Sequence, residues 1–129
     1  MKAFAYLIIA ILSLPVRAAN LQTEGDWIPT YRAQGSNPTL VYNFYYDKRT
    51  AVRNGEKVGF WSKTVSTAPA IPEKSRYIHE FVDCASQQSA IDSMFIDGLG
   101  IFRVKVQWRA PQSNTPAMQT LIAVCKNVH

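Results

Sequence analysis

Histidine and cysteine, the residues that most often bind metal ions or act as nucleophiles, are scarce in this sequence, with two of each among 129 residues. Cys84 and Cys125 lie far apart, and with only His79 and His129 as further soft ligands they make a poor zinc set. The sequence contains no glycine-rich phosphate loop, no spaced metal motif and no nucleophile elbow. We therefore predict a protein that has no metal or cofactor and is not an enzyme.

His79 invites a catalytic interpretation, because it stands beside Glu80 and near Asp83. Adjacent residues of a strand point to opposite faces, so Glu80 is not placed to assist His79. Asp83 shares the face of His79, but no nucleophile is specified there. Asp92 and Asp97 could form a carboxylate pair, although spacing alone does not establish one. We interpret His79 as a surface or packing residue and name no catalytic residue.

Long apolar runs are also scarce, and the clearest one, residues 4–14, follows a lysine at the start of the chain. Pro15 ends the run, and the segment up to Ala18 presents small residues where a signal peptidase cuts. We predict a cleavable signal peptide over residues 1–18, with Ala19 as the alternative cleavage position. The run is shorter than the about 20 residues of a permanent membrane helix, although an uncleaved anchor is the alternative interpretation. No cysteine follows the run to carry a lipid anchor.

Residues 19–129 are predicted to form a single domain of 111 residues, with 12 basic and 9 acidic side chains and a net charge of +3. This mild charge is compatible with an acidic partner, whereas a nucleic-acid binder would show a denser basic stripe. We expect an exported protein, periplasmic or secreted, with no nucleic-acid partner and no stable membrane insertion after the signal is removed.

Export also predicts the state of the two cysteines, because the compartments that exported proteins reach are oxidising. We predict an intramolecular disulfide between Cys84 and Cys125. It closes a loop of about 42 residues and should restrict the unfolded chain by roughly 4 kcal/mol. A metal pair and a reactive thiol are the alternatives.

Most of the domain has strand periodicity, bounded by turn signals such as Asn54-Gly55. The predicted strands are residues 26–32, 39–46, 50–53, 57–65, 76–84, 87–97 and 100–109, and a helix is the alternative for 87–97. Residues 66–72 hold two prolines and are predicted to be a loop. In the second strand Tyr42, Phe44 and Tyr46 share one face. Part of this aromatic set should be core, and the rest could form an exposed surface for a partner.

The last predicted strand, residues 100–109, alternates between basic and apolar side chains. Arg103, Lys105 and Arg109 share one face with Ile101 and Gln107, and the opposite face carries Phe102, Val104, Val106 and Trp108. We predict that the basic residues meet solvent and contribute to protein binding, since arginine and aromatic residues anchor many interfaces. A plain solvated sheet face is the alternative. By parity Trp108 should be core unless the strand bulges.

The period changes near the C-terminus, where residues 111–116 offer helix caps before a proline. Four residues after it fall at helical spacing on one face: Met118, Leu121, Ile122 and Cys125. A helix here would direct Cys125 at the sheet, and the disulfide would clamp it over the end of strand 76–84. The predicted fold class is therefore α+β, a meandering antiparallel sheet with a C-terminal helix packed on one face.

The order of several short motifs resembles the surface-adhesin E family of small exported bacterial proteins. The motifs are Trp27, Tyr45-Tyr46-Asp47, Asn54-Gly55, Trp61, Asp83-Cys84, Asp97-Gly98, Trp108, Pro111-Gln112-Ser113 and Val124-Cys125. The resemblance covers nearly all of residues 19–129. It implies about six antiparallel strands, with the C-terminal helix tethered to the concave side by the disulfide.

The resemblance also implies a function, because the family includes a surface lipoprotein that binds host extracellular proteins such as vitronectin and laminin. This sequence lacks the lipobox cysteine, so a periplasmic or secreted location is favoured over surface attachment. We predict a non-enzymatic, adhesin-like module that binds a host matrix or envelope protein. The alternative is a periplasmic accessory or structural factor of an envelope or secretion machine, or a periplasmic inhibitor. A homodimer is compatible with either function.

Overall fold

The computed structural model describes residues 24–36, 39–96 and 99–129. The predicted signal peptide, residues 1–18, lies outside the described residues, as do its cleavage site and Asp97. In the described part of the chain, no helix is long and apolar enough to cross a membrane.

Seven antiparallel strands and one C-terminal helix make up the described fold. The strands are β1 (Trp27–Gln34), β2 (Val41–Asp47), β3 (Val52–Asn54), β4 (Lys57–Ala68), β5 (Ile71–Asp83), β6 (Gln88–Ile96) and β7 (Gly100–Arg103), and the helix is α1 (Pro116–Asn127). They form one sheet in the order β1-β2-β4-β5-β6-β7, with β3 paired to β4. The predicted antiparallel sheet with a C-terminal helix is confirmed. The strand count is seven, which agrees with the strands predicted from the residue pattern, whereas the family resemblance implies about six.

Two predicted turns differ in detail from the structure. Asn54 pairs with Lys57 as the last residue of β3, so the loop residues of the hairpin are Gly55 and Glu56. Gly55 has φ +62°, a backbone conformation that glycine adopts without steric cost. The predicted loop at residues 66–72 is mostly strand. Pro72 is tolerated there because it falls where the register between β4 and β5 shifts and the ladder is interrupted.

One face of the sheet, here called the helix face, carries Tyr46, Val58, Phe60 and Val82, all almost fully buried. Leu121 and Val124 of α1 belong to the same hydrophobic cluster. The sequence analysis also placed Ile122 on the face of α1 that packs against the sheet. That prediction is wrong, because Ile122 is 48% exposed. The residues that point inward are spaced i, i+3 and i+7 from Leu121, so the stripe runs through Val124 to Val128 rather than through Ile122.

Both ends of α1 are held by specific contacts. The side chain of Thr115 accepts a hydrogen bond of 3.2 Å from the backbone N–H of Met118, and Pro116 occupies the first turn. At the other end the guanidinium of Arg53 donates to the carbonyl oxygens of Cys125 and Val128 at 3.3 and 3.0 Å. The predicted disulfide is confirmed: Cys84, one residue past β5, is bonded to Cys125, with 5.7 Å between their Cα atoms.

The opposite face, here called the aromatic face, holds a second cluster around Trp61 and Tyr77, packed with Trp27 and Phe95. The ring centroids of Trp27 in β1 and Tyr77 in β5 lie 5.7 Å apart, although two strands separate them in the sheet. Flat strands at normal spacing would hold these backbones about 14 Å apart. The two large side chains therefore approach each other across the aromatic face, and the central strands bury side chains on both sides of the sheet.

Candidate protein-binding edge

Residues 100–109 run along β6 at one end of the sheet, but only their first part is strand. Within β7, Phe102 pairs with Met94 and Arg103 with Ser93. The backbone N–H of Val104 then donates to the carbonyl of Asp92 at 2.9 Å. The predicted strand over residues 100–109 is thus correct for Gly100–Arg103 and wrong beyond it.

The chain leaves the ladder after Val104 and rejoins it at Arg109. Arg109 and Ser89 exchange two backbone hydrogen bonds of 2.8 and 2.9 Å. Between these points β6 advances three residues, from Asp92 to Ser89, while the other chain advances five. The two extra residues form an irregular bulge in which residues 104–108 are not strand, so the alternation of faces on which the sequence prediction depends does not apply there.

The bulge overturns the prediction that Trp108 is core. Trp108 is 37% exposed, and the ammonium group of Lys57 lies 5.5 Å from the centroid of its ring. The other residues predicted to line the inner face are also exposed: Phe102, Val104 and Val106. The edge of the sheet therefore presents apolar side chains to solvent along with its basic ones.

The three basic residues proposed from the sequence are all exposed, as predicted, but they do not share one place. Lys105 and Arg109 lie together at the rim of a cavity of about 340 Å³ beneath the bulge, while Arg103 stands apart on β7. Ala90, Ile91, Met94 and Val104 form the apolar part of the cavity lining. Arg109 also donates a 2.7 Å hydrogen bond to the Gln107 side chain, which limits its range of positions.

Sequence reasoning missed Ile91 and Met94, because their proximity to Val104 depends on the pairing of β6 with the bulged segment. Ile91 faces the same side as Met94 even though three positions separate them, since the β5–β6 register shifts between His79 and Glu80. An alternation pattern read from one strand has no signal for such a shift.

His79 has a partner that the sequence did not identify. Its Nδ1 lies 2.7 Å from the carboxylate of Asp92 on the neighbouring strand, rather than near Asp83. The ring also makes edge contacts with Trp61 and Phe81, with centroids 5.2 and 5.1 Å away. These contacts hold the imidazole within the aromatic face. Asp97, the other member of the predicted carboxylate pair, lies outside the described residues.

Comparison of the chain with family models, with curated proteins and with solved structures gives no significant match. The resemblance to the surface-adhesin E family therefore stays a prediction.

Proposed function

We propose that this chain is an exported, non-enzymatic binding module that takes an extended, acidic segment of another protein along the edge formed by residues 100–109. The observation that carries the proposal is the combination of an exposed apolar edge and unopposed positive charge. Phe102 and Trp108 are 43% and 37% exposed, and the segment contains three basic residues and no acidic one.

The backbone of β7 supports an extended partner. Because the N–H of Val104 points towards β6, alternation directs the N–H of Arg103 to the open side of the strand. Exposed edges of this kind accept an added strand, whose backbone hydrogen bonds supply affinity. Alternate side chains of the added strand would then reach the cavity under the bulge.

The side chains supply the preference for an acidic partner. Lys105 and Arg109 stand at the cavity rim with apolar residues below, an arrangement suited to an apolar side chain flanked by carboxylates. The three basic side chains of this edge would also speed association with an acidic partner, and the binding would weaken as the salt concentration rises. We infer an envelope or host matrix protein as the partner class.

The disulfide supports the inferred export to the periplasm or beyond, because such bonds persist in oxidising compartments. We also infer the architecture of the surface-adhesin E family, with α1 packed on one face of the sheet. The hydrophobic cluster that α1 shares with the helix face supports this inference.

The test compares capture of proteins from envelope extract and from host matrix by the wild-type domain and by an Arg103→Glu/Lys105→Glu variant. The proposal expects the variant to lose capture at low salt while keeping its thermal stability, because exposed charges contribute little to stability. Arg32→Glu/Lys48→Glu makes the same change of net charge elsewhere on the exposed surface and should retain capture. If both variants lose capture equally, the effect is one of net charge and not of this edge. If the Arg103→Glu/Lys105→Glu variant keeps full capture, the interface lies elsewhere.

A second comparison tests strand addition itself. Arg103→Pro removes both the side chain and the outward N–H, whereas Arg103→Ala removes only the side chain. Proline is tolerated on edge strands where the N–H faces solvent, so both variants should fold. Weaker capture by the proline variant than by the alanine variant is expected, and equal capture would exclude backbone pairing at this residue.

A further inference from the structure

A second cavity lies on the helix face, beyond the N-terminal end of α1. It is an open groove of about 570 Å³, with Tyr42 and Phe44 of β2 and Ile96 of β6 among its lining residues. Pro116, the first residue of α1, also lines it. The groove exists because α1 starts at Pro116, so that Tyr46 is buried beneath the helix cluster while Phe44 and Tyr42, on the same face, keep partial exposure.

Two cations stand beside this apolar lining. Lys74 and Arg76 are two residues apart on β5, so they share the helix face, and both are exposed. Arg49 and Arg53, in contrast, form ion pairs with Glu24 and Glu56. Among the described residues, no ion pair involves Lys74 or Arg76, and no acidic side chain lines the groove. The first turn of α1 also has no acidic residue. The partial positive charge of the helix N-terminus therefore adds to the positive electrostatic potential that Lys74 and Arg76 create in the groove.

The shape and the charges select one chemical class of ligand. A volume of this size is typical of sites for small molecules, and the apolar lining would remove an acyl or aromatic body from water. A carboxylate attached to that body could reach Lys74 and Arg76, and the hydroxyl groups of Thr64 and Ser66 also line the groove. A neutral apolar molecule would leave the two cations without a partner, and a cationic one would be repelled.

We propose that this groove binds a small amphipathic carboxylate, with its apolar body on Tyr42 and Phe44 and its carboxylate between Lys74 and Arg76. This site lies on the helix face and shares no lining residue with the cavity under the bulge. It is therefore a binding activity beyond the proposed protein-binding edge, and it can be tested separately.

The test uses sodium decanoate as the probe, below the concentration at which it aggregates, with titration calorimetry on the oxidised domain. Saturable binding at one site is expected, and decanol, which has the same chain without the charge, should bind at least about fivefold more weakly. Backbone amide shifts should change along β2 and β5 at Tyr42, Phe44 and Arg76.

Three variants decide the assignment. Lys74→Gln/Arg76→Gln should weaken decanoate binding about tenfold and leave decanol binding unchanged. Arg32→Gln/Lys48→Gln removes two exposed charges away from the groove and should bind decanoate as the wild type does. Ser66→Phe fills one end of the groove and should weaken binding of both probes, with folding checked by thermal unfolding.

Several outcomes would overturn the proposal. Decanol binding as tightly as decanoate would show that the cations take no part. Unchanged affinity in Lys74→Gln/Arg76→Gln, or shift changes confined to the edge at residues 100–109, would place the site elsewhere. Absence of saturable binding by the wild type would exclude this ligand class. None of these results bears on capture of a protein by the edge, because the two sites use different residues.

Discussion

The hydroxyl of Ser62 in β4 donates a 2.6 Å hydrogen bond to the carboxyl group of Glu80 in β5. Both residues lie on the helix face, where Glu80 is directly opposite Phe60. Burial in these apolar surroundings raises the pKa of Glu80 from 4.5 to about 7, although the hydrogen bond from Ser62 favours the charged form and partly opposes the shift. Near neutral pH this carboxyl group therefore binds a proton that it would release in the unfolded chain.

This pKa predicts that the domain loses stability as the pH rises from about 4.5 through about 7. In that window the folded chain binds more protons than the unfolded chain, so the free energy of unfolding decreases with pH. The total change from this group is on the order of 3 kcal/mol. Chemical denaturation of the wild type between pH 4 and 8 measures it.

Glu80→Gln should flatten that pH profile, because glutamine keeps the shape and loses the titrating proton. Glu73→Gln, at an exposed position of β5, is the matched control and should keep the wild-type slope. The same slope in wild type and Glu80→Gln would show that another group is responsible for the pH dependence.

Local patterns were enough to predict most of the sheet, but they could not predict positions that depend on pairing between distant strands. The alternation in 39–46 correctly placed Tyr42, Phe44 and Tyr46 on one face, because β2 has no bulge against β4. The same reasoning failed at Trp108, because the chain leaves the ladder after Val104 and is not strand again until it bridges to Ser89 at Arg109.

The candidate sites were predictable in part for the same reason. Exposure of Arg103, Lys105 and Arg109 follows from their charge. The cavity beneath them depends on the register of β6, and the groove depends on where α1 starts. Lys74 was missed because prolines suggested a loop nearby. Its spacing of two from Arg76 was the signal that could have placed both on one face.

The disulfide predicts a large loss of stability when it is removed. Replacing both Cys84 and Cys125 by serine should lower the free energy of unfolding by about 2–5 kcal/mol, because the unfolded chain regains the freedom of the closed loop. Chemical denaturation measures the loss, and reducing agent added to the wild type should give a similar value. Thiol titration of unreduced, exported protein should detect no free thiol. Two free thiols, or a dimer that reducing agent dissociates, would contradict the intramolecular bond.

Trp61 and Trp108 differ in burial and should therefore respond differently to the same substitution. Trp61 is 8% exposed and packs in the aromatic cluster with Tyr77, so Trp61→Ala should cost roughly 3–5 kcal/mol of unfolding free energy. Trp108→Ala removes an exposed ring and its contact with Lys57, and should cost about 1 kcal/mol or less. Chemical denaturation of the two variants gives both values under one set of conditions.

Partner capture should show the reverse ranking of the two variants. Trp108→Ala should weaken capture more than Trp61→Ala does, because Trp108 belongs to the proposed binding edge. Trp61→Ala must be assayed at a temperature where it is folded. Similar losses of stability in both variants would mean that Trp108 is packed as core, and the parity of an unbulged strand would then be correct after all.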